Sequence, residues 1–301
     1  MKIGIIGVGF VGGTTAKVLE QHHELILYDK YKQPHTDSSL LSEAEVVFIC
    51  VPTPMKPSGE IDYSAIHNSI ETLKQVTQNN RVKPLVIIRS TAVSGTTDNL
   101  ENIYPFNFAF NPEFLREKHA VEDMKNTNRI VIGANRQEDF DMVKSVYMPL
   151  FPNAKYVCVD NKTAEMMKYA NNAMLTGQIA LANELYQICN VLNIDYEKIK
   201  EVLLLDDRVA KNISVPGHDG EMGFGGKCLP KDLNALIYLA REKMYRPYLL
   251  EEVWRLNERL RKNQDWLDIP GATSLNQDFS KTQYSSLPLP KDSLSEDTPT
   301  F

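Results

Sequence analysis

The chain contains few cysteines and no long apolar run, and each shortage excludes a class of protein. Its four cysteines, Cys50, Cys158, Cys189 and Cys228, show neither paired nor metal-type spacing, so we expect no metal site and a reducing, cytoplasmic location. No apolar stretch approaches the roughly 20 residues of a membrane helix, so no membrane partner is expected. The N-terminal run MKIGIIGVGFVGG is not followed by a small-residue cleavage site, which argues against a signal peptide.

Positive charge is also in short supply. The chain has 33 Lys and Arg against 39 Asp and Glu, a formal net charge of −6, and a pI near 5.6. This balance argues against nucleic acid as the main partner, although it leaves room for a local pocket that binds a small anion. With 301 residues, 43% of them hydrophobic, the chain is long enough for two domains with separate cores.

The first 160 residues alternate β-rich runs with helical patterns. Strands are predicted at residues 2–6, 24–28, 46–51, 85–88, 129–132 and 155–158, and amphipathic helices such as 63–78 and 138–148 lie between them. Alternation of this kind is typical of a doubly wound parallel sheet. We therefore predict an α/β fold in which residues 1–160 form a Rossmann-like domain.

The pattern changes after residue 160. Residues 163–192 contain no proline and one glycine and predict a single long helix, and further helices are expected at 196–205, 231–243 and 248–262. Residues 161–262 should therefore form an all-α domain. The remaining residues, 263–301, are rich in Ser, Pro, Asp and Thr without periodicity, so we expect a disordered tail.

The stretch IGIIGVGFVGGTTA places Gly7, Gly9 and Gly12 in a G-x-G-x-x-G pattern between a predicted strand and a helix. Such glycines permit a tight turn and let a pyrophosphate approach the helix N-terminus. Asp29 ends the second predicted strand 17 residues after Gly12, where a carboxylate would accept from the adenosine ribose hydroxyls and repel a 2′-phosphate. The pattern favours NAD over NADP, although Lys30 weakens this inference. The alternative is a glycine-rich turn that binds nothing.

The stretch GFGGKCLPKD, residues 223–232, places Cys228 after two glycines that permit an unusual turn. Pro230 suits the first position of a helix, so the thiol would lie near a helix N-terminus, flanked by Lys227 and Lys231. Both features stabilise a thiolate. We therefore interpret Cys228 as a nucleophile. The alternative is a packed thiol near a helix start, which is how we interpret the other three cysteines because their neighbours are apolar.

An NAD site combined with a nucleophilic thiol indicates a particular chemistry. Hydride loss from an alcohol gives an aldehyde, and a thiolate traps that aldehyde as a thiohemiacetal. A second hydride loss gives a thioester, and water then releases a carboxylate. An ordinary alcohol dehydrogenase has no use for the cysteine.

Five motifs together resemble the UDP-glucose/GDP-mannose dehydrogenase family. They occur in the family's order, and the likeness runs from residue 1 to about residue 262. The motifs are VPTP at 51–54, STAVSGTT at 90–97, NPEFLRE at 111–117, AEMMKYANN at 164–172 and GFGGKCLPKD at 223–232.

The resemblance implies catalytic roles for residues of the two helical motifs. Cys228 corresponds to the nucleophile, and Asp232, one turn along the same helix, helps to hold or activate the water. Lys168 would stabilise the alkoxide and the oxyanions. Asn172, one turn after Lys168, would add a hydrogen bond. The structural alternative for Lys168 and Asn172 is a solvated helix face.

The same resemblance implies roles in the loops. Glu117 would orient or deprotonate the hydrolytic water, Thr91 would bind that water or a sugar hydroxyl, and Glu113, one turn before Glu117, would support the water network. The implied cofactor-binding residues are Gly7, Gly9, Phe10, Val11, Gly12, Asp29, Lys30, Thr53, Thr91 and Glu117. The implied substrate-binding residues are Glu113, Phe114, Leu115, Lys168, Asn172, Arg208, Phe224 and Gly225.

A homodimer is expected from the long predicted helix and from Arg208, which resembles the arginine that reaches a neighbouring subunit's substrate. A surface salt bridge is the alternative explanation for Arg208. The 163–192 helix would span about 45 Å, more than a small domain needs. Its apolar residues are too many for one buried stripe and include Met166, Met167, Ala170, Met174, Ile179, Leu181 and Leu185.

The sequence also departs from the family pattern. Lys227 stands where a small or neutral residue is common, which would further acidify the thiol. The stretch at 214–222 is longer than in many members, and the family's third domain is expected to be absent. We predict oxidation of a nucleotide sugar, UDP-glucose foremost, to its uronate. The alternatives are a two-electron hydroxyacid dehydrogenase, which would ignore the cysteine, and a non-catalytic nucleotide-binding subunit.

Overall fold

A computed structural model describes residues 1–116 and 119–273 of the chain. In these ranges the predicted Rossmann-like sheet is confirmed, with strands in the order β2-β1-β3-β4-β5-β6-β7. All neighbouring strands are parallel except β5 and β6, which are antiparallel. The strands are β1 Lys2–Ile6, β2 Glu24–Tyr28, β3 Val46–Ile49, β4 Leu85–Ile88, β5 Phe108–Phe110, β6 Arg129–Ala134 and β7 Lys155–Val159.

Helices flank this sheet and then form the second half of the chain. The first five are α1 Phe10–Leu19, α2 Ser64–Val76, α3 Thr96–Ile103, α4 Ala120–Lys125 and α5 Gln137–Tyr147. The last four are α6 Asn161–Val191, α7 Tyr196–Leu203, α8 Cys228–Glu242 and α9 Tyr248–Leu260. None of the described helices is long and apolar enough to cross a membrane.

The sheet is buried on both faces, as expected for parallel strands covered by helices. Side chains from alternate positions of the strands enter two separate cores. Ile3, Ile5 and Phe48 pack toward α1 and α5, whereas Val47 and Ile49 pack toward α2 and α3. In the central strands β3, β4 and β5 every position is buried, and these strands consist of continuous apolar runs.

Two differences from the predicted elements have physical causes. Strand β5 was not predicted, because three residues are too few to show a period. Helix α8 begins at Cys228 rather than Lys231, so Pro230 occupies its third position instead of the first. A proline is tolerated there because the N–H groups of a first helical turn have no intrahelical acceptor.

Helix α6 forms the spine of the helical half. It has 31 residues and is capped at its N-terminus by Asp160, whose carboxylate accepts from the Thr163 N–H. Near this end it lies so close to β6 that a Cβ added to Gly133 would come within 2.7 Å of the Ala164 Cβ. Helices α8 and α9 pack on its later turns. The close approach at Gly133 holds the helical half against the sheet.

Residues 263–273 do not form the disordered tail that the composition suggested. They contain a short 3₁₀ turn, Asp265–Leu267, and Trp266 is only 2% exposed. The Trp266 ring lies with its centroid 5.2 Å from that of Trp254 on α9. One buried tryptophan anchors this segment, which is too weak a signal for a composition argument to detect. The rest of the predicted tail, 274–301, lies outside the described residues.

Candidate active site

The glycine loop after β1 has the geometry of a phosphate cradle. Gly7 has a φ of +91°, and a Cβ there would lie 2.8 Å from the Cys50 carbonyl oxygen. A Cβ on Gly12 would lie 1.9 Å from the Gly7 carbonyl oxygen. Gly9 faces open space, with no atom within 4 Å of where a Cβ would be. Gly9 also gives α1 no side-chain cap, so the N–H groups of the first turn, including Phe10 and Val11, are free to bind a pyrophosphate.

Asp29 lies beside this loop, as the sequence predicted. Its Oδ2 accepts from the Val8 N–H at 2.8 Å, and its Oδ1 accepts from the Tyr31 N–H at 3.0 Å. A carboxylate has about four acceptor positions, so both oxygens retain capacity for ribose hydroxyls. Lys30 is exposed, and its ammonium lies over the Tyr31 ring rather than against Asp29. The residues therefore fit the adenosine half of a dinucleotide.

Facing helices supply a cluster of predicted catalytic side chains. On α6, Lys168 and Asn172 lie one turn apart, and on α8 the same spacing separates Cys228 from Asp232. The Asn172 amide donates to Asp232 Oδ2 at 2.6 Å, which joins the two helices directly. The other Asp232 oxygen accepts from Lys231 at 2.7 Å. The structure thus gathers these four predicted residues on adjoining turns.

Glu113 completes this cluster from the sheet domain. The Lys168 ammonium donates to Glu113 Oε1 at 2.7 Å and to the Glu113 carbonyl at 2.9 Å, and both side chains are buried. The second carboxylate oxygen accepts from the Leu115 N–H. Residues 111–116 are irregular, so Glu113 does not lie on a helix one turn before Glu117 as predicted. Glu117 itself lies outside the described residues.

Lys168 keeps its charge inside the protein. Burial lowers the pKa of its ammonium, but Glu113, Asp232 and Cys228 act in the opposite direction, and the pKa is raised overall. A buried ammonium near a thiol can stabilise negative charge that develops on a substrate oxygen. The structure therefore supplies a fixed cation where the sequence placed one.

The surroundings of Cys228 differ from the prediction of an acidified thiol. The residue is exposed to solvent, but protein atoms cover the inner side of its thiol. This partial burial disfavours the thiolate and is the main reason that the pKa of Cys228 is raised. Asp232 and Glu113 raise the pKa further, and Lys168 and Lys231 oppose them. Each of these lysines already pairs with a carboxylate, so little of their field remains for the thiol.

Thr53 and Thr91 lie together at the ends of neighbouring strands. The Thr53 hydroxyl donates to the Thr91 carbonyl at 2.9 Å. These two loops pack on α6 and α8 through a small apolar cluster that includes Met55, Tyr169 and Ala235. Because Tyr169 follows Lys168 in the chain, this packing places the strand ends beside the helices that carry the catalytic cluster.

Two predicted substrate residues, Arg208 and Phe224, make contacts outside the catalytic cluster. The Arg208 side chain is 88% exposed and pairs with Asp206, so it lies outside the cluster within this chain. The Phe224 ring is buried against Trp254, and Asn257 binds both the N–H and the carbonyl of Phe224. This ring therefore supports the loop from beneath.

The remaining predicted substrate residues lie next to Glu113 and Cys228 in the chain. Phe114 is half-buried, with the Lys168 ammonium 5.9 Å and the Arg129 guanidinium 5.1 Å from its ring centroid. Leu115 is half-buried and packs on the core of the sheet domain. A Cβ on Gly225 would lie 2.2 Å from Arg261 Nη2, so any larger residue here would displace that guanidinium.

Glu165, which no sequence motif singled out, connects α6 to α3. This carboxylate is fully buried and accepts from the N–H groups of Gly95 and Thr97 and from the Thr97 hydroxyl. Burial is the main cause that raises its pKa to about 7, although those hydrogen bonds oppose the shift. The helix N-cap at Gly95 has no side chain, and this lack is the sequence signal that a distant cap was needed.

Comparison with known proteins identifies related domains. Residues 30–151 match the NAD-binding domain of the UDP-glucose/GDP-mannose dehydrogenase family, and residues 162–259 match the family's central domain. The predicted cofactor, NAD, is confirmed by the first of these matches. Together the matches cover most of the chain.

Curated relatives of the chain include proteins named as UDP-glucose 6-dehydrogenases. A UDP-glucose 6-dehydrogenase from Rickettsia bellii is 37% identical over 224 residues, which are 72% of this chain and 50% of that protein. The putative UDP-glucose 6-dehydrogenase YtcA of Bacillus subtilis is 30% identical over an alignment that covers 86% of this chain and 68% of that protein. The chain thus spans half to two thirds of the length of these relatives.

Solved structures share the fold. A UDP-glucose dehydrogenase from Pyrobaculum islandicum has a TM-score of 0.73 at 27% identity, over 86% of this chain and 68% of that one. A GDP-mannose dehydrogenase from Pseudomonas aeruginosa has a TM-score of 0.62 at 27% identity, over 89% of this chain and 70% of that one.

Proposed function

Because the chain belongs to the UDP-glucose/GDP-mannose dehydrogenase family, we propose that it oxidises the primary alcohol of a nucleotide sugar to a carboxylate with NAD. The observation that carries this proposal is the meeting of Cys228, Asp232, Lys168 and Asn172 beside the strand ends of a dinucleotide-binding domain. A hydroxyacid dehydrogenase would give the thiol no role. The names of curated relatives favour UDP-glucose as the substrate.

The proposed reaction contains two oxidations separated by a covalent step. NAD, when bound, accepts the hydride in each oxidation. The glycine loop and Asp29 would hold the dinucleotide, and Thr53 and Thr91 would lie beside its reactive end. Lys168 stabilises the alkoxide as the alcohol loses its proton and becomes an aldehyde.

Cys228 holds the intermediate between the two oxidations. Its sulfur bonds to the aldehyde carbon, and the thiol proton ends on the former carbonyl oxygen, which gives a thiohemiacetal. Oxidation of that carbon, with loss of the hydroxyl proton, leaves a thioester. Because the pKa of Cys228 is raised, the thiol is mostly protonated when it meets the aldehyde, and its proton must move during the attack.

Water completes the cycle. It adds to the thioester carbon, the carbon–sulfur bond breaks, and the sulfur recovers a proton as the carboxylic acid leaves. Asp232 accepts from Lys231 and Asn172. In the proposed reaction it orients this water, and Lys168 stabilises the oxyanion. Glu117 keeps its predicted role in the same step.

A homodimer through α6 is the second part of the proposal. Met174, Leu181, Leu185 and Ile188 are exposed and follow one another at helical spacing along one face of α6. Apolar stripes of this kind are typical of helix–helix interfaces. Burial of this stripe against a second copy would also place the outward-pointing Arg208 near the partner. Sedimentation at micromolar concentration should give a dimer, and Leu181→Glu should give a monomer, whereas a monomeric wild type would refute this part.

The decisive test counts NADH formed per nucleotide sugar, with UDP-glucose, GDP-mannose and an N-acetylated sugar in parallel. Two NADH and one carboxylate are expected per molecule of the accepted sugar. Cys228→Ala should lose carboxylate formation and keep its affinity for NAD. Cys158→Ser, a change at the other exposed cysteine, should behave as the wild type. Undiminished carboxylate formation by Cys228→Ala would exclude the covalent route.

A further inference from the structure

The glycine-rich loop before Cys228, residues 223–226, is held by side chains that follow α8 in the chain. Asn257 on α9 accepts from the Phe224 N–H at 2.8 Å and donates to the Phe224 carbonyl at 2.9 Å. Asp265 accepts from the Gly226 N–H with both oxygens, at 3.0 and 3.1 Å. The Gly226 φ is +72°, a left-handed conformation that glycine adopts without the steric cost that other residues would have.

Arg261 fills the space behind this loop. It is only 4% exposed, and its Nη2 donates to Asp219 at 2.7 Å and to Asp265 at 3.4 Å. Its Nε donates to the Asn263 carbonyl at 2.9 Å. The guanidinium occupies the position that a side chain at residue 225 would need, which accounts for Gly225. A planar fork satisfies these separate acceptors in a way that a lysine ammonium does not.

Residues that follow Arg261 in the chain also contact the loop after β3, in the sheet domain. The Gly271 carbonyl accepts from the Met55 N–H at 2.8 Å, and a Cβ on Gly271 would lie 2.3 Å from the Pro54 Cβ. Pro54 and Met55 directly follow Thr53, the predicted cofactor residue. Between the two contacts, Trp266 anchors the segment in the core beside Trp254.

We infer that residues 261–271 form a bridging segment that positions the Cys228 loop relative to the Thr53 loop, with Arg261 and Asp265 as its positioning residues. The purpose of this alignment rests on the proposed function, because a thiol must meet the carbon that the cofactor oxidises. The contacts themselves do not depend on that proposal. A displacement of about 1 Å at a reacting group can lower a rate by roughly 100-fold.

The first experiment measures turnover of the full chain. Asp265→Ala frees the Gly226 N–H and should lower kcat about 10- to 100-fold. The KM for NAD should stay within about twofold, because the cofactor loop of Gly7, Gly9 and Gly12 is untouched. Arg261→Lys keeps the charge and should fall between Asp265→Ala and the wild type. Asp268→Ala removes an exposed carboxylate from the same segment and should match the wild type.

The second experiment needs no turnover, so it separates this inference from the proposed function. Iodoacetamide labelling is followed peptide by peptide at Cys228, with exposed Cys158 as the internal reference. A loosened loop exposes the inner side of the thiol and relieves the burial that raises its pKa, so Asp265→Ala should label Cys228 about fivefold faster. Labelling of Cys158 should not change.

Arg261→Lys, the milder change, should raise the Cys228 labelling rate about twofold. Unchanged labelling of Cys228 in both variants would overturn the inference. Equal acceleration at Cys158 and Cys228 would also overturn it, because that result indicates general destabilisation rather than positioning. A wild type that labels as expected but does not oxidise nucleotide sugars would overturn the proposed function alone.

Discussion

The cofactor half and the thiol half of the proposed cleft present different chemical groups to the ligand. In the sheet domain, the ligand-facing groups are backbone N–H groups ordered by Gly7, Gly9 and Gly12, with one carboxylate, Asp29, beside them. In the helical domain they are side chains fixed by buried ion pairs, such as Lys168 with Glu113. A run of 23 residues, 7–29, contains the first arrangement, whereas the second joins residues from 113 to 232.

This difference sets how each half responds to change. A backbone cradle needs little beyond the correct turn and helix, so one side-chain substitution alters affinity or selectivity by a limited amount. A buried ion pair has larger consequences, because removing one partner leaves the other charge uncompensated in a medium of low dielectric. We therefore expect large effects on turnover and stability from the thiol half, and smaller, more selective effects from the cofactor half.

Substitution of Asp232 should lower turnover strongly and leave the affinity for NAD nearly unchanged. Asp232→Asn removes the negative partner of buried Lys231 and weakens the hold on the hydrolytic water, so kcat should fall about 10²- to 10⁴-fold. The dissociation constant for NAD, measured by titration, should stay within about twofold because the glycine loop is untouched. Asp268→Asn serves as the control. A parallel loss of NAD affinity would show that the two halves are not separable.

Removal of Trp266 should test the anchor of the bridging segment. Trp266→Ala empties a buried site beside Trp254 and should lower the free energy of unfolding by about 3–5 kcal/mol. Leu267→Ala, at a side chain that is 53% exposed, should change it by less than about 0.5 kcal/mol. Urea denaturation of the full chain measures both. Equal stability of the two variants would show that the segment is not anchored.

The fold was largely predictable, because its signals are local. Continuous apolar runs that alternate with amphipathic helices identify a sheet buried on both faces, and the proline-free stretch identifies α6. What the sequence did not predict is short or depends on contacts. The three-residue strand β5 has no period of its own, and residues 263–273 are ordered through Trp266 and Arg261, which carry no pattern.

The candidate site divides in the same way. The glycine loop and Asp29 were predictable because their geometry depends on neighbouring residues. The ionisation of Cys228 was not, because Lys227 and Lys231 beside it suggested an acidic thiol, whereas the structure pairs Lys231 with Asp232 and raises the pKa of the thiol mainly by burial. A lysine contributes a positive charge, but its effect on the pKa of a neighbouring group depends on which carboxylate it pairs with in the folded protein.

Glu165 should give stability a pH dependence of an unusual sign. Its pKa is raised from 4.5 to about 7, so the folded state binds the proton more tightly than the unfolded chain. The stabilisation is fully present below pH 4.5 and is lost as pH rises through 7. The unfolding free energy should fall by about 1 kcal/mol per pH unit between about 5 and 7. Glu165→Gln should flatten that slope, whereas Glu184→Gln, at an exposed position on α6, should keep it. An unchanged slope in Glu165→Gln would contradict the assignment.

Substitution of Asp29 should give the smallest effect and the most selective one. Asp29→Asn keeps an oxygen for the Val8 N–H but removes the negative charge that would repel a 2′-phosphate, so the preference for NAD over NADP should narrow about tenfold. The measurement is the ratio of kcat/KM for the two cofactors. Glu20→Gln, at an exposed carboxylate after α1, should leave that ratio unchanged. Because Asp29 belongs to the locally built half, the iodoacetamide labelling rate of Cys228 should not respond to its loss. A wild-type preference for NADP would contradict the role of Asp29, and altered labelling of Cys228 would show that the cofactor loop and the thiol cluster are mechanically coupled.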